Sequence, residues 1–264
     1  MMDSGVIEAA DGCRIAWRSD GSPDAPALVL SNSLGADMSM WMRQVDALAK
    51  DYRVLRYDQR GHGASGVPEG AAKILDLGRD VLQLMDRLKI EKAHFCGVSL
   101  GGMTGQWLLQ NAPARFDRMI LCFTSPYMGP PEAWQGRMDT VLTQGLGSII
   151  DPVMSRWLTP GSAQSDPDGF ACLRVMLSST PDAGYAACCA AIRDLDLRPG
   201  LKHIENPVLV IGGDQDPAVP IGDSQSLANN IPQAELAVLP CAHLGNFECA
   251  EAFNALVAEF LGRD

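Results

Sequence analysis

Positive charge is scarce in this chain: 21 Lys and Arg stand against 32 Asp and Glu, for a net charge of −11. Nucleic acid and anionic membrane surfaces both demand clustered positive charge, so neither is expected as a partner. No Cys-x-x-Cys pair occurs among the eight cysteines, which argues against a zinc site or a thioredoxin-like redox pair. They are scattered through apolar segments and read as reduced, buried, small hydrophobic residues, with Cys188 and Cys189 adjacent in a tightly packed helix. No apolar run reaches the roughly 18 to 20 residues of a membrane span. The N-terminal MMDSGVIEAADG carries neither a basic region nor an apolar signal core. A soluble, cytoplasmic protein is expected. Histidine is rare, at four residues, so the candidates for a general base are few.

What is present suits one large α/β domain, since 264 residues with 47% apolar side chains can bury a sizeable core. VIEA and CRIAW flank Asp11-Gly12 as a hairpin. Strand patterns then alternate with helical ones: ALVLS at 27–31, a helix around 38–49, YRVLRYD at 52–58, a helix at 73–89, AHFCG, a helix at 100–111 and RMILCF at 118–123. From Ser125 to about Gly200 only helical spacings occur, punctuated by PP, TPG, SDPDG and TPDAG. The alternation resumes with PVLVIGG, a helix around 221–230, AELAVLP and a last helix, EAFNALVAEFL. The expected architecture is a mostly parallel, eight-stranded sheet with helices on both faces, formed by residues 1–124 and 201–264. An all-helical lid, residues 125–200, is inserted after the sixth strand.

FCGVSLGGM sets Ser99 between Gly97 and Gly101 where a strand gives way to a helix. Glycines on either side let the backbone approach closely while the hydroxyl projects from the sharp turn of a nucleophile elbow. A serine needs a base, and the base needs a carboxylate to hold its tautomer. His62, His94 and His203 lie in an early loop, in a strand and before a strand, and read as structural. His243 follows AELAVLP at the carboxyl edge of a late strand, where sites of open α/β sheets lie. After PVLVIGG the loop DQDP offers Asp214 and Asp216, of which Asp216 is favoured because Pro217 fixes an extended departure. The order Ser99, Asp216, His243 is that of α/β hydrolases. An oxyanion hole needs two backbone N–H groups. Leu100, after the nucleophile, supplies one, and Leu34, in the SNSLG loop after the strand at 27–31, supplies the other.

Together, LSNSLGADMSMW, VLRYDQRGHGAS, CGVSLGGM, PPEAW, GYAACCAAIRDLDL, GDQDP and CAHL resemble the bacterial 3-oxoadipate enol-lactonases over essentially the whole chain. The resemblance implies Ser99 as nucleophile, Asp216 as acid, His243 as base, Leu34 and Leu100 as oxyanion donors, and opening of an enol-lactone to 3-oxoadipate in aromatic catabolism. Acyl transfer of this kind needs neither a metal nor another cofactor. The partner is then a small lactone or ester, and a homo-oligomer remains open. A generic carboxylesterase or another lactonase is the nearest alternative, and a ligand-binding protein on the same fold a more distant one. The family's substrate carries a carboxylate, which a chain of charge −11 repels at long range. Among the lid arginines 137, 156, 174, 193 and 198, Arg137 is the expected anchor, three residues after Trp134, which would give an apolar wall. One departure stands out: the family commonly has Glu-Gln-Pro before the last helix, where this chain has Glu248-Cys249-Ala250. The geometry at the start of that helix is therefore open.

Overall fold

The hairpin around Asp11-Gly12 forms, with β1 (Asp3–Glu8) and β2 (Arg14–Asp20) paired antiparallel and Gly12 turning at φ 84°. The computed structural model describes residues 3–263. Beyond the hairpin come β3 (Ala27–Ser31), α1 (Met42–Leu48), β4 (Arg53–Tyr57), α2 (Ile74–Arg87), β5 (Ala93–Val98), α3 (Leu100–Asn111) and β6 (Phe116–Cys122). After a helical stretch, β7 (Val208–Gly213) and β8 (Ala234–Leu239) complete one sheet of order β1-β2-β4-β3-β5-β6-β7-β8. Every pair from β4 to β8 is parallel. Because β4 and β5 lie on opposite sides of β3, the chains leaving β3 and β5 run apart and open a crevice at the carboxyl ends of the strands.

The strands read as continuous apolar runs because both faces are covered. In β3, Leu28 and Leu30 enter the core on one side and Val29 the core on the other, all fully buried. Each such side chain contributes roughly 1.5–3 kcal/mol by leaving water.

Between β6 and β7 the described residues form helices and no strand: α4 (Pro131–Gln144), α5 (Ile150–Trp157), α6 (Ser162–Ser165), α7 (Pro167–Ser178) and α8 (Asp182–Arg193). The run GYAACCAAI of α8 is buried throughout, and its small residues permit backbone contact: a Cβ on Gly184 would lie 2.1 Å from the Gly61 carbonyl oxygen. Cys188 donates to the Arg60 carbonyl at 3.3 Å. The expectation that the cysteines are buried fails for three of them. Cys172 is exposed on α7, and Cys13 and Cys249 are only partly covered. The others sit in the core, where burial pushes the Cys189 thiol up to about 12.

At the chain end, α9 (Ile221–Asn230) precedes β8, and a short α10 (Gly245–Glu248) breaks at Cys249 before α11 (Ala250–Leu261). Proline is thus not needed to restart the last helix. Among the described residues no helix is long and apolar enough to cross a membrane.

Candidate active site

Ser99 follows β5, the fifth strand in spatial order, and occupies φ 57°, ψ −113°, a conformation that L side chains rarely adopt. Tight surroundings hold it there. Its N–H donates to the Cys122 carbonyl at 2.8 Å, and its carbonyl accepts from Met103 N–H and the Thr124 hydroxyl at 2.9 and 2.8 Å. A Cβ on Gly97 would come within 2.3 Å of the Gly101 carbonyl oxygen, and one on Gly101 within 2.2 Å of the Ser31 carbonyl oxygen. Only glycine fits at either place.

His243 and Asp216 come from the loops after β8 and β7. His243 Nδ1 donates to Asp216 Oδ2 at 2.7 Å, which leaves Nε2 as the free ring nitrogen. The other oxygen of Asp216 accepts from Ala218 N–H and Val219 N–H at 2.8 and 3.0 Å, so the carboxylate is fixed before it meets the imidazole. Asp214 is exposed and does not reach the histidine; the structure pairs His243 with Asp216. Ser99 and His243 both line a pocket of about 250 Å³ with Leu34 in its wall. Ser99 Oγ has no hydrogen-bond partner among the described residues.

The loop carrying Leu34 is fastened from three sides. Asn32 accepts from Trp41 Nε1 and donates to the Tyr57 carbonyl, both at 2.9 Å. Its own carbonyl accepts from Gly101 N–H at 2.9 Å, which ties this loop to the helix that starts at Leu100. Gly35 N–H donates to His62 Nε2 at 2.9 Å, while His62 Nδ1 lies 3.1 Å from the Arg60 carbonyl as its donor. Complete burial pushes the His62 pKa down to about 4, so the ring is neutral and free to accept.

A folded-state pKa below the ordinary 6.5 contributes stability that is full above about 6.5 and lost as pH falls toward 4. Asp58, pushed up to about 6 by burial, works in the opposite sense, and a difference between variants removes its contribution. The stability lead of the wild type over His62→Gln, which keeps an acceptor for Gly35, is expected to shrink by about 2 kcal/mol between pH 7 and 4.5. Urea midpoints across that range measure it, and a constant gap would refute the linkage.

A family model described as the alpha/beta hydrolase fold matches residues 26–250. The chain is 43% identical over 243 residues to 3-oxoadipate enol-lactonase 2 of Acinetobacter baylyi, covering 92% of this chain and 91% of that one. The chain belongs to the 3-oxoadipate enol-lactonase family of α/β hydrolases. It is also similar to the enol-lactonase of Burkholderia xenovorans LB400, with a TM-score of 0.96 and 42% identity over 98% of this chain and 100% of that one. A thermophilic esterase of Thermogutta terrifontis matches with a TM-score of 0.92 at 26% identity over 98% of each chain.

In this member of the enol-lactonase family, the helical insert supplies much of the pocket wall, and its arginines divide into two groups. Arg174 pairs with Asp151, Arg193 with Asp194 at 2.7 Å and Arg198 with Asp196 at 2.6 Å. Arg137 and Arg156 line the pocket and have no carboxylate partner among the described residues. The Arg137 guanidinium lies 4.8 Å over the Trp134 ring and donates to Tyr185 Oη at 3.5 Å. Trp134 itself donates to the Met128 carbonyl at 2.6 Å. Arg156, Trp157 and Tyr185 are pocket residues that the sequence pattern does not single out. An aromatic beside a basic residue in Arg156-Trp157 is the one signal that could have pointed there. Among the described residues, no group of three or more His, Cys, Asp or Glu could hold a metal ion.

Proposed function

We propose that this ester hydrolase opens a carboxylate-bearing enol-lactone, 3-oxoadipate enol-lactone, through an acyl-enzyme on Ser99, with Asp216 and His243 completing the triad. The reading rests above all on two cations without carboxylate partners among the described residues, Arg137 and Arg156, in the wall of the pocket that holds Ser99 and His243. A substrate carboxylate would give these cations an anionic partner. Family membership and the name of the Acinetobacter baylyi relative support the same choice.

Ser99 Oγ attacks the lactone carbonyl carbon as its proton passes to His243 Nε2, and Asp216, bonded to Nδ1, stabilises the imidazolium. The tetrahedral oxyanion is held by Leu34 N–H and by Leu100 N–H at the start of α3, where the helix dipole adds positive potential. Collapse breaks the bond from the acyl carbon to the ring oxygen, and His243 returns its proton to the enol oxygen. The opened chain stays attached through Ser99, and the enol relaxes to the ketone. Water then attacks the acyl carbon, giving its proton to His243, and Ser99 leaves with that proton, releasing a dicarboxylate. The insert acts as a lid: Trp134 forms an apolar wall, and Arg137 anchors the carboxylate that the substrate carries beyond its ester.

Purified enzyme is expected to turn over the enol-lactone with a higher kcat/KM than an uncharged aryl ester; the reverse order would favour a general carboxylesterase. Arg137→Ala is expected to cost about 2 kcal/mol in kcat/KM on the enol-lactone and little on the aryl ester. Equal losses on both would make Arg137 a structural support of the lid, and no loss on either would remove it as the anchor.

A further inference from the structure

Glu248 lies outside the triad and the oxyanion hole, yet its carboxylate accepts four hydrogen bonds that join the lid to the loop of His243. Oε1 takes Thr159 N–H at 2.9 Å, the Ser162 hydroxyl at 2.9 Å and the Thr159 hydroxyl. Oε2 takes Ala242 N–H, the residue before His243, at 2.9 Å. On the other side of the histidine, Leu244 N–H donates to the Trp157 carbonyl at 2.9 Å. The backbone on both sides of His243 is therefore held by or through the lid corner 157–162. Trp157 and His243 themselves face the same pocket.

Asp216 alone does not fix the imidazole, since a bond to Nδ1 leaves the ring free to swing about it if the loop shifts. We propose that Glu248 is a positioning residue, its carboxylate setting the His243 loop against the lid so that Nε2 faces Ser99. This rests on the reading of Ser99 and His243 as nucleophile and base. A carboxylate suits the task because every partner is a donor, and hydrogen bonds to a charged acceptor are the strong ones. Glutamine cannot replace it: its NH₂ group would point a donor at Ala242 N–H or at Thr159 N–H. A displacement of the lid corner would carry the base with it, which links pocket closure to the placement of His243.

The test is Glu248→Gln, read on an uncharged aryl ester and on the rate at which a phosphonate ester labels Ser99, neither of which involves the carboxylate anchor. Both rates are expected to fall together, on the order of 10²-fold for an ångström-scale shift of the base, with KM for the aryl ester nearly unchanged. The downfield proton resonance of the His243–Asp216 hydrogen bond should shift or broaden, which a residue that only shapes the lid would not cause. Unchanged labelling in a folded Glu248→Gln protein overturns the proposal, even if enol-lactone turnover falls. Should that variant not fold, Thr159→Val combined with Ser162→Ala removes the two hydroxyl donors and keeps both backbone bonds. A several-fold drop in labelling supports the proposal and an unchanged rate overturns it. Failure of the underlying reading looks different: the wild type would then label away from Ser99.

Discussion

Replacing Ser99 with alanine is expected to lower enol-lactone turnover by roughly 10⁶-fold while leaving the protein folded, the size of loss seen when a triad nucleophile is removed. The fold should survive because the tight approaches at the elbow are made by backbone atoms and by Gly97 and Gly101, not by the hydroxyl. Alanine at φ 57° is strained no more than serine is. The hydroxyl itself is bonded to no protein group among the described residues, so its removal leaves no buried donor unpaired. Circular dichroism and thermal melting establish folding, and progress curves on the enol-lactone establish the loss. Substantial turnover in Ser99→Ala would make water, activated by His243, the direct nucleophile.

The second large effect separates the two aspartates of the DQDP loop. Asp216→Asn is expected to lower turnover on the order of 10⁴-fold, because an amide facing His243 Nδ1 allows the wrong tautomer and cannot stabilise the imidazolium. The amide of that variant keeps an oxygen for Ala218 N–H and Val219 N–H, so the loop should hold its shape. Asp214→Asn, at an exposed position that does not touch the histidine, is expected to stay within about threefold of wild type, as surface substitutions away from special contacts usually do. Steady-state kinetics of the two variants decide it, and a larger loss in Asp214→Asn would reverse the assignment.

Much of this geometry is legible in the sequence because local rules govern it. The switch between strand and helix periodicity marks the strands and the long helices between them but not the short α10, and glycines flanking Ser99 mark a turn that no other residue allows. The stiff Asp216-Pro217 step points to the aspartate that meets the imidazole. What the sequence hides depends on residues brought together from afar. Cys172 reads as one more small apolar residue of α7 until the packing of that helix leaves it exposed. His62 looks like a loop histidine until Gly35 is seen donating to it. The link between Glu248 and Thr159 spans 89 residues of chain and has no local signature. Arg156 differs from Arg174 only in what faces it: a pocket in one case, Asp151 in the other.

An aryl phosphonate titrated against the enzyme, with intact-mass analysis and residual enol-lactone turnover read on the same samples, tests the acyl-enzyme route most directly. One adduct per chain is expected, mapping to the peptide that carries Ser99, with turnover falling in proportion to occupancy and vanishing when every chain is labelled. An adduct on another residue, or enol-lactone turnover that persists at full occupancy of Ser99, would contradict it.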